Sequence, residues 1–186
     1  MSDRELLERF LNDQDEEAFA ALVERYKASV MGICRRLLGN DGSAEDAFQA
    51  TFLILAQQAS RIRKRASLAG WLHSVAVRTA LRARAERHRR RMRPLQNDMM
   101  ITDDLLDQLT KRYEYEALHE ELDQLPDRYR EPLILRYWLG QSNEQIASRL
   151  GLPLGVVEGR IKRGKERLRL RLARHGIGLS ASLVTL

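Results

Sequence analysis

The sequence predicts an all-α protein, with two small helical domains joined by a flexible linker and a helix-turn-helix in the C-terminal one. Three observations predict it. Leu, Ala, Arg and Glu dominate the 186 residues while Gly and Pro number only 11 and 4, a mixture of helix formers with few breakers. Apolar residues recur at three- and four-residue intervals through most of the chain. Finally, between Asn143 and Arg174 one helical pattern stops at Gly151 and Pro153 and a second resumes at once.

Taken in order, Asp3 to Leu11 is a short amphipathic helix carrying Leu6, Leu7, Phe10 and Leu11. Asp15 caps a longer one, in which Phe19, Leu22, Val23, Tyr26, Val30, Ile33 and Leu37 recur at helical spacing as far as Leu38. Gly39 to Gly42 is a turn, and Ser43 with Asp46 three residues on opens the next helix. Ala44 to Ala59 is apolar on more than one side, with Phe48, Phe52, Leu53, Ile54 and Leu55, so it is either central to a bundle or half-covered by a partner. Ser60 to Gly70 is a basic loop. Trp71 to Arg93 is helical, with Leu72, Val75, Ala76, Thr79, Ala80 and Ala83 as its stripe, and ends in a cationic tract.

Pro94 stops that helix and opens a linker. Thr102 caps a helix running through Leu105, Leu106, Leu109, Tyr113, Leu118 and Leu122, and Pro126 starts another that presents Leu133, Ile134, Tyr137 and Trp138 and closes at Gly140. In the helix-turn-helix itself, Ser142 caps the first helix with Gln145 three residues on. Ala147 lets the helices cross closely, Gly151 takes the left-handed turn and Val157 plugs the interface. The expected division is therefore an N-terminal domain at 1–93, a linker at 94–114, the helix-turn-helix domain at 115–175 and an apolar, uncharged tail at 176–186 to which no role is assigned.

The net charge of +6 is unevenly spread: −5 over residues 1–60, +11 over 61–93, −7 over 94–159 and +7 over 160–186. Two concentrated basic blocks point to two contacts with nucleic acid. In the second block Arg160, Lys162, Arg163, Lys165, Arg167, Arg169, Arg171 and Arg174 face the single acid Glu166. A helix entering the major groove needs cations for phosphates and forked donors for base edges, and Arg supplies both. Beside the first block, Trp71 is placed either to stack on an unpaired base or to anchor its helix.

Other chemistries are poorly served. Cys34 is the sole cysteine, so an internal disulfide is excluded, and it reads as a small buried hydrophobe. His73, His88, His119 and His175 lack ligand spacing, and no phosphate-cradling glycine loop, GxSxG or HExxH motif occurs. We therefore expect no metal, no cofactor and no enzymatic activity. The charged start MSDRELLERF and the lack of a transmembrane-length apolar run make the cytoplasm the expected site of action.

Three stretches, in order, resemble a bacterial RNA polymerase sigma factor of the sigma-70 family, extracytoplasmic-function type. AEDAFQATF is similar to the family's core-binding helix, and the resemblance implies that Glu45, Asp46, Gln49, Thr51, Phe52 and Leu55 serve core polymerase. SLAGWLHSVAVRTAL resembles the segment that meets the minus-ten promoter element, which implies that Arg61, Lys64, Arg65, Ser67, Trp71, Arg78 and Arg82 contact that DNA and that Trp71 helps capture a flipped base. LDQLPDRYREPLILRYWLGQSNEQIASRLGLPLGVVEGRIKRGKERLRLRL resembles the minus-thirty-five domain, with Val156, Glu158, Gly159, Arg160, Arg163 and Arg167 toward DNA. The resemblance implies core RNA polymerase and promoter DNA as partners and leaves room for an anti-sigma factor. It also implies that the acidic linker threads the polymerase's RNA channel.

The recognition helix departs from the family's usual GTVKSRLHRAR. Val156, Glu158, Gly159 and Gly164 stand in place of Thr, Lys, Ser and Ala, so promoter sequence does not carry over from relatives. Each glycine is expected to cost the helix about 1 kcal/mol against Ala. The chief alternative is an autonomous helix-turn-helix regulator, which leaves AEDAFQATF and the first basic block unexplained. A nucleic-acid-processing enzyme is a third class and lacks a visible site.

Overall fold

Regular structure in the computed structural model is helical throughout the residues it describes, 1–62, 68–91 and 103–178. The helices are α1 (Asp3–Asp13), α2 (Glu16–Leu38), α3 (Gly42–Gln58) with a 3-10 turn at Ala59–Arg61, α4 (Leu68–Arg91), α5 (Asp103–Asp123), α6 (Asp127–Leu133) with a π turn at Ile134–Trp138, α7 (Asn143–Leu150) and α8 (Leu154–Ala173). The chain divides into two units, Met1–Pro94 and Leu95–Leu186.

In the first unit, α1 opens with a capping box that the sequence reading missed. Ser2 Oγ accepts the Glu5 N–H at 3.3 Å and Glu5 Oε2 accepts the Ser2 N–H at 2.8 Å. Asp3 then ties α1 to α2 by accepting from Tyr26 Oη and Arg25 Nη1, each at 2.5 Å. Asp15 caps α2 as expected, accepting the Ala18 N–H at 3.0 Å. Its buried face is Leu22, Tyr26, Val30, Ile33 and Leu37, joined by Cys34 and Leu38. Burial pushes the Cys34 thiol up to about 11, so it is an inert hydrophobe at neutral pH.

Two expectations are corrected here. The cap of α3 is Asp41, which accepts the Ser43 N–H at 3.1 Å, rather than Ser43 itself. And α4 begins at Leu68, three residues before Trp71, because Leu68, Ala69 and Gly70 are drawn into the core. Its buried surface is also wider than a stripe, since Leu72, His73, Ser74, Val75, Ala76 and Val77 are all buried in succession. The reason is its position: α4 packs on both α2 and α3, and small residues such as Ala69, Ala76 and Ala80 let it sit between them.

In the second unit, α5 starts at Asp103, where the helix following Thr102 was expected to start, and it takes in residues 103–114 of the stretch assigned to the linker. Thr102, its expected cap, lies outside the described residues. Leu118 and Leu122 are fully buried as expected, but Leu109 and Tyr113 are half-exposed, and the core face is completed by Tyr115, Ala117 and His119 instead. Beyond α6, whose Pro132 has no N–H to donate, the Leu139 N–H reaches Ile134 C=O at 3.2 Å and makes a π turn. That wider turn buries Ile134, Leu135 and Trp138 together and leaves Tyr137 half-buried.

The helix-turn-helix forms as its punctuation predicts. Ser142 and Gln145 make the capping box, at 3.2 and 2.8 Å. Gly151 takes φ +63°, where only glycine is unstrained, while the Leu152 N–H returns to Ala147 C=O at 3.0 Å. Ile146 and Val157 are fully buried between the two helices. Gly164 faces α6 so closely that a Cβ there would lie 3.0 Å from Leu133 Cδ1 and 3.3 Å from Tyr129 C=O. A methyl there requires Leu133 or the Tyr129 carbonyl to give by a few tenths of an ångström, so at the α6–α8 crossing packing opposes the simple helix penalty expected from propensity.

Candidate polymerase and nucleic-acid interfaces

Three surfaces carry the residues singled out from the sequence. On α3, Glu45, Asp46 and Gln49 are exposed, and Leu53 one turn further on is 62% exposed. Thr51, Phe52 and Leu55 face the other way, into the bundle. Thr51 is fully buried and donates its hydroxyl to Ala47 C=O at 2.8 Å, as expected of a polar side chain that must be satisfied inside. So the six residues implied for core polymerase split into an outward set and an inward set, and the outward set gains Leu53, an apolar residue in water. Alternation around the helix was the signal that would have separated them.

On α4, half-buried Trp71 shares a face with the exposed Arg78 and Arg82. Positions seven and eleven apart return to within roughly 20° of the same direction at 3.6 residues per turn. Arg61 is exposed at the end of the 3-10 turn, while Lys64, Arg65 and Ser67 lie outside the described residues. Not every arginine of this tract is free for DNA. Arg87 reaches back to Asp41 Oδ2 and to Leu38 C=O (3.4 Å), fastening α4 to the cap of α3. Hydrogen bonds from Ser43, with help from the Arg87 guanidinium, hold the Asp41 carboxyl below its ordinary range.

On α8 the buried residues Val157, Gly164, Leu168 and Leu172 define the inner face, and the cations fall on two flanks beside it. Val156, Arg160, Arg163 and Arg167 occupy one flank, within roughly 40° of Val156. Glu158 is on the other, with Lys162, Lys165 and Arg169, and Gly159 lies on the outer face. Each flank rests on a tyrosine of the α6 region. The Arg167 guanidinium sits 5.0 Å from the Tyr129 ring centroid and the Lys165 ammonium 5.8 Å from that of Tyr137. Arg163 lies back over Gly159, as helical side chains lean toward the N-terminus, and its Nη2 would be 3.2 Å from a Cβ there. Farther along, Arg169 is paired with Glu166 at 2.8 Å and Arg171 with Glu121 of α5 at 2.7 Å. The cations left open are thus concentrated in the first half of α8, where Val156 and Leu154 add exposed apolar contact.

Comparison with known proteins gives the family. The Sigma-70 region 2 model matches residues 22–91 and the Sigma-70, region 4 model residues 115–168. RNA polymerase sigma factor CarQ of Myxococcus xanthus is 30% identical, over 88% of this chain and 93% of its own length. The chain belongs to the sigma-70 family of RNA polymerase sigma factors. Within it the ECF type fits, since ECF sigma factor SigE of Mycolicibacterium smegmatis is 33% identical over 83% of this chain, an alignment spanning 61% of SigE. The sigma-H factor of Pseudomonas aeruginosa is 29% identical over 88% of this chain and 90% of that one. This sigma factor directs RNA polymerase to promoters. The region 2 match over the first unit is what an autonomous helix-turn-helix regulator leaves unexplained. Among the described residues no helix is long and apolar enough to cross a membrane.

Proposed function

We propose that the two matched regions divide the work of this sigma factor, residues 1–93 binding core polymerase and the minus-ten element and residues 115–175 binding the minus-thirty-five element. The exposed face of α3, Glu45, Asp46, Gln49 and Leu53, is the polymerase-docking surface. Thr51, Phe52 and Leu55 hold that face in shape from within. The basic segment 61–67 and the Trp71–Arg78–Arg82 face of α4 receive the melting strand. Stacking on Trp71 and ionic contacts to the backbone hold single-stranded DNA better than duplex, so binding energy alone offsets unpairing and no covalent chemistry is required. Arg160 and Arg163 of α8 contact bases or phosphates of the upstream element, with Val156, Glu158 and Gly159 shaping the approach. The work is done where bacterial polymerase transcribes, in the cytoplasm.

The observation that supports this reading is the shared α4 face, which sets an aromatic ring in line with two exposed arginines, Arg78 and Arg82, the second of them also 3.4 Å from Glu86. The test compares holoenzymes carrying wild-type chain or Trp71→Ala. Permanganate reactivity should show a larger loss in promoter opening than gel-shift assays show in closed-complex binding. Equal losses in both would sink the assignment.

A further inference from the structure

Helix α1 lies ahead of the stretch matched by the Sigma-70 region 2 model, residues 22–91, yet it packs on an element inside that stretch. Besides α2, α1 touches the 3-10 turn Ala59–Arg61. That turn has three residues and no side-chain cap at its start, so packing on its neighbours has to hold it. Its Ala59 is buried, while Arg61 stands exposed at its end. An 11-residue helix is too short to be stable alone, so α1 needs anchors of its own. It has one at each end. At its start the Asp3 carboxylate accepts from Tyr26 Oη and Arg25 Nη1, and Arg25 Nη2 donates to Met1 C=O at 2.9 Å. Near its end Arg9 Nη2 lies 2.5 Å from Asp15 Oδ2, and the same Asp15 carboxylate caps α2. The bend into α2 holds Gln14 at φ +51°, a left-handed conformation unfavourable for a residue with a Cβ. Local preference is overridden there to fold α1 back on α2, with Leu6 buried between the two anchors.

We propose that α1 is a positioning strut for the minus-ten contact: clamped to α2 at Asp3 and Asp15, it backs the 3-10 turn that presents Arg61 to the melted strand. The proposal rests on the minus-ten reading of Arg61, Trp71 and Arg78. Arg61 comes from the turn after α3, whereas Trp71 and Arg78 come from α4, so their spacing depends on what holds the turn. A contact loosely supported from behind binds less tightly, because binding must then supply the ordering. The loss expected on releasing the Asp3 clamp is roughly three- to tenfold, the size of one part-buried hydrogen bond and the upper limit of what it can transmit.

The experiment measures binding of holoenzyme to a fluorescent single strand, the non-template minus-ten strand of its own promoter. The variants are Tyr26→Phe, Asp3→Asn, Arg61→Ala, Arg78→Ala, and Tyr26→Phe combined with each arginine change. Tyr26→Phe removes only a hydroxyl from a buried ring, and Asp3→Asn checks it from the other end of the same bond. Both should weaken strand binding roughly three- to tenfold and leave the affinity for core polymerase unchanged. In the Arg61→Ala background the loss from Tyr26→Phe should largely vanish, because the strut acts through that turn. In the Arg78→Ala background it should persist in full. Additive losses with both arginines mean a general loosening of the domain and overturn the strut. So does a weakened affinity for core polymerase, which would place α1 with the docking surface. Wild-type strand binding by Tyr26→Phe and Asp3→Asn, with Arg61→Ala weakened, overturns the strut alone. No loss from either arginine change overturns the minus-ten reading, and the strut falls with it.

Discussion

The two cationic helices, α4 and α8, keep charge and core apart in different ways. In α4 the separation runs along the axis: residues 72–77 are buried on every side, and exposed arginines begin at Arg78. In α8 it runs around the axis: Val157, Gly164, Leu168 and Leu172 face inward over the whole length while cations occupy both flanks. A helix of the first kind has one end to give to a partner and one end to anchor it. A helix of the second kind offers its full length but stands on a narrow seam. The proposed function would use both: holding a melted strand at one end of α4 would need firm anchorage at the other, and laying α8 in a groove would need its sides.

The largest effect should come from the anchored end of α4. Leu72 is fully buried, so Leu72→Ala removes packing from between α2 and α3 and should cost about 2–5 kcal/mol in urea unfolding. Arg82→Ala, less than three turns along the same helix, leaves the unfolding midpoint unchanged and weakens DNA binding only. Comparable destabilisation by both would erase the axial division.

On α8 the same substitution at two glycines should have opposite signs. Gly164→Ala puts a methyl against Leu133 and the Tyr129 carbonyl, and overpacking of about 1–3 kcal/mol outweighs a helix-propensity gain of about 1 kcal/mol. Gly159→Ala meets only the flexible tip of Arg163, which can yield by tenths of an ångström, so the propensity gain survives and the chain is stabilised by up to about 1 kcal/mol. Thermal unfolding of both variants separates the seam from the outer face; two changes of equal sign would mean the seam is looser than the 3.0 Å approach indicates.

The same contrast explains what was legible in the sequence. The helix-turn-helix could be read almost residue by residue, because Ser142, Gln145, Gly151 and Val157 act through local rules of capping, left-handed backbone and period. For α4 the stripe was too narrow, since a helix enclosed on all sides carries no periodic signal once its residues are small or apolar. The role of Gly164 was invisible for a different reason: its cost or benefit depends on Leu133 and Tyr129, thirty or more residues away. Among the site residues, Glu45, Asp46 and Gln49 were placed outward while Thr51 and Leu55 turned inward, a distinction the family motif does not make.

The smallest expected effect concerns how the C-terminal end of α8 is held. Glu121 of α5 accepts from Arg171 Nη1 at 2.7 Å and meets His175 Nε2 at 3.0 Å. The Arg171 hydrogen bond, helped by His175, holds the Glu121 carboxyl below its ordinary 4.5. A carboxylate depressed in the folded state contributes stability above its unfolded value and loses it as pH falls through the folded one. Because Arg171 is part-exposed, the contribution is under about 1 kcal/mol. Glu121→Gln should therefore unfold slightly earlier than wild type at pH 7, with the gap closing as the pH drops below the carboxylate range. A gap unchanged down to pH 3 would mean that packing of the α5 side chain, and not its charge, secures the helix end. In that case Arg171 would count with the open cations of α8, and its flank would extend the helix's full length.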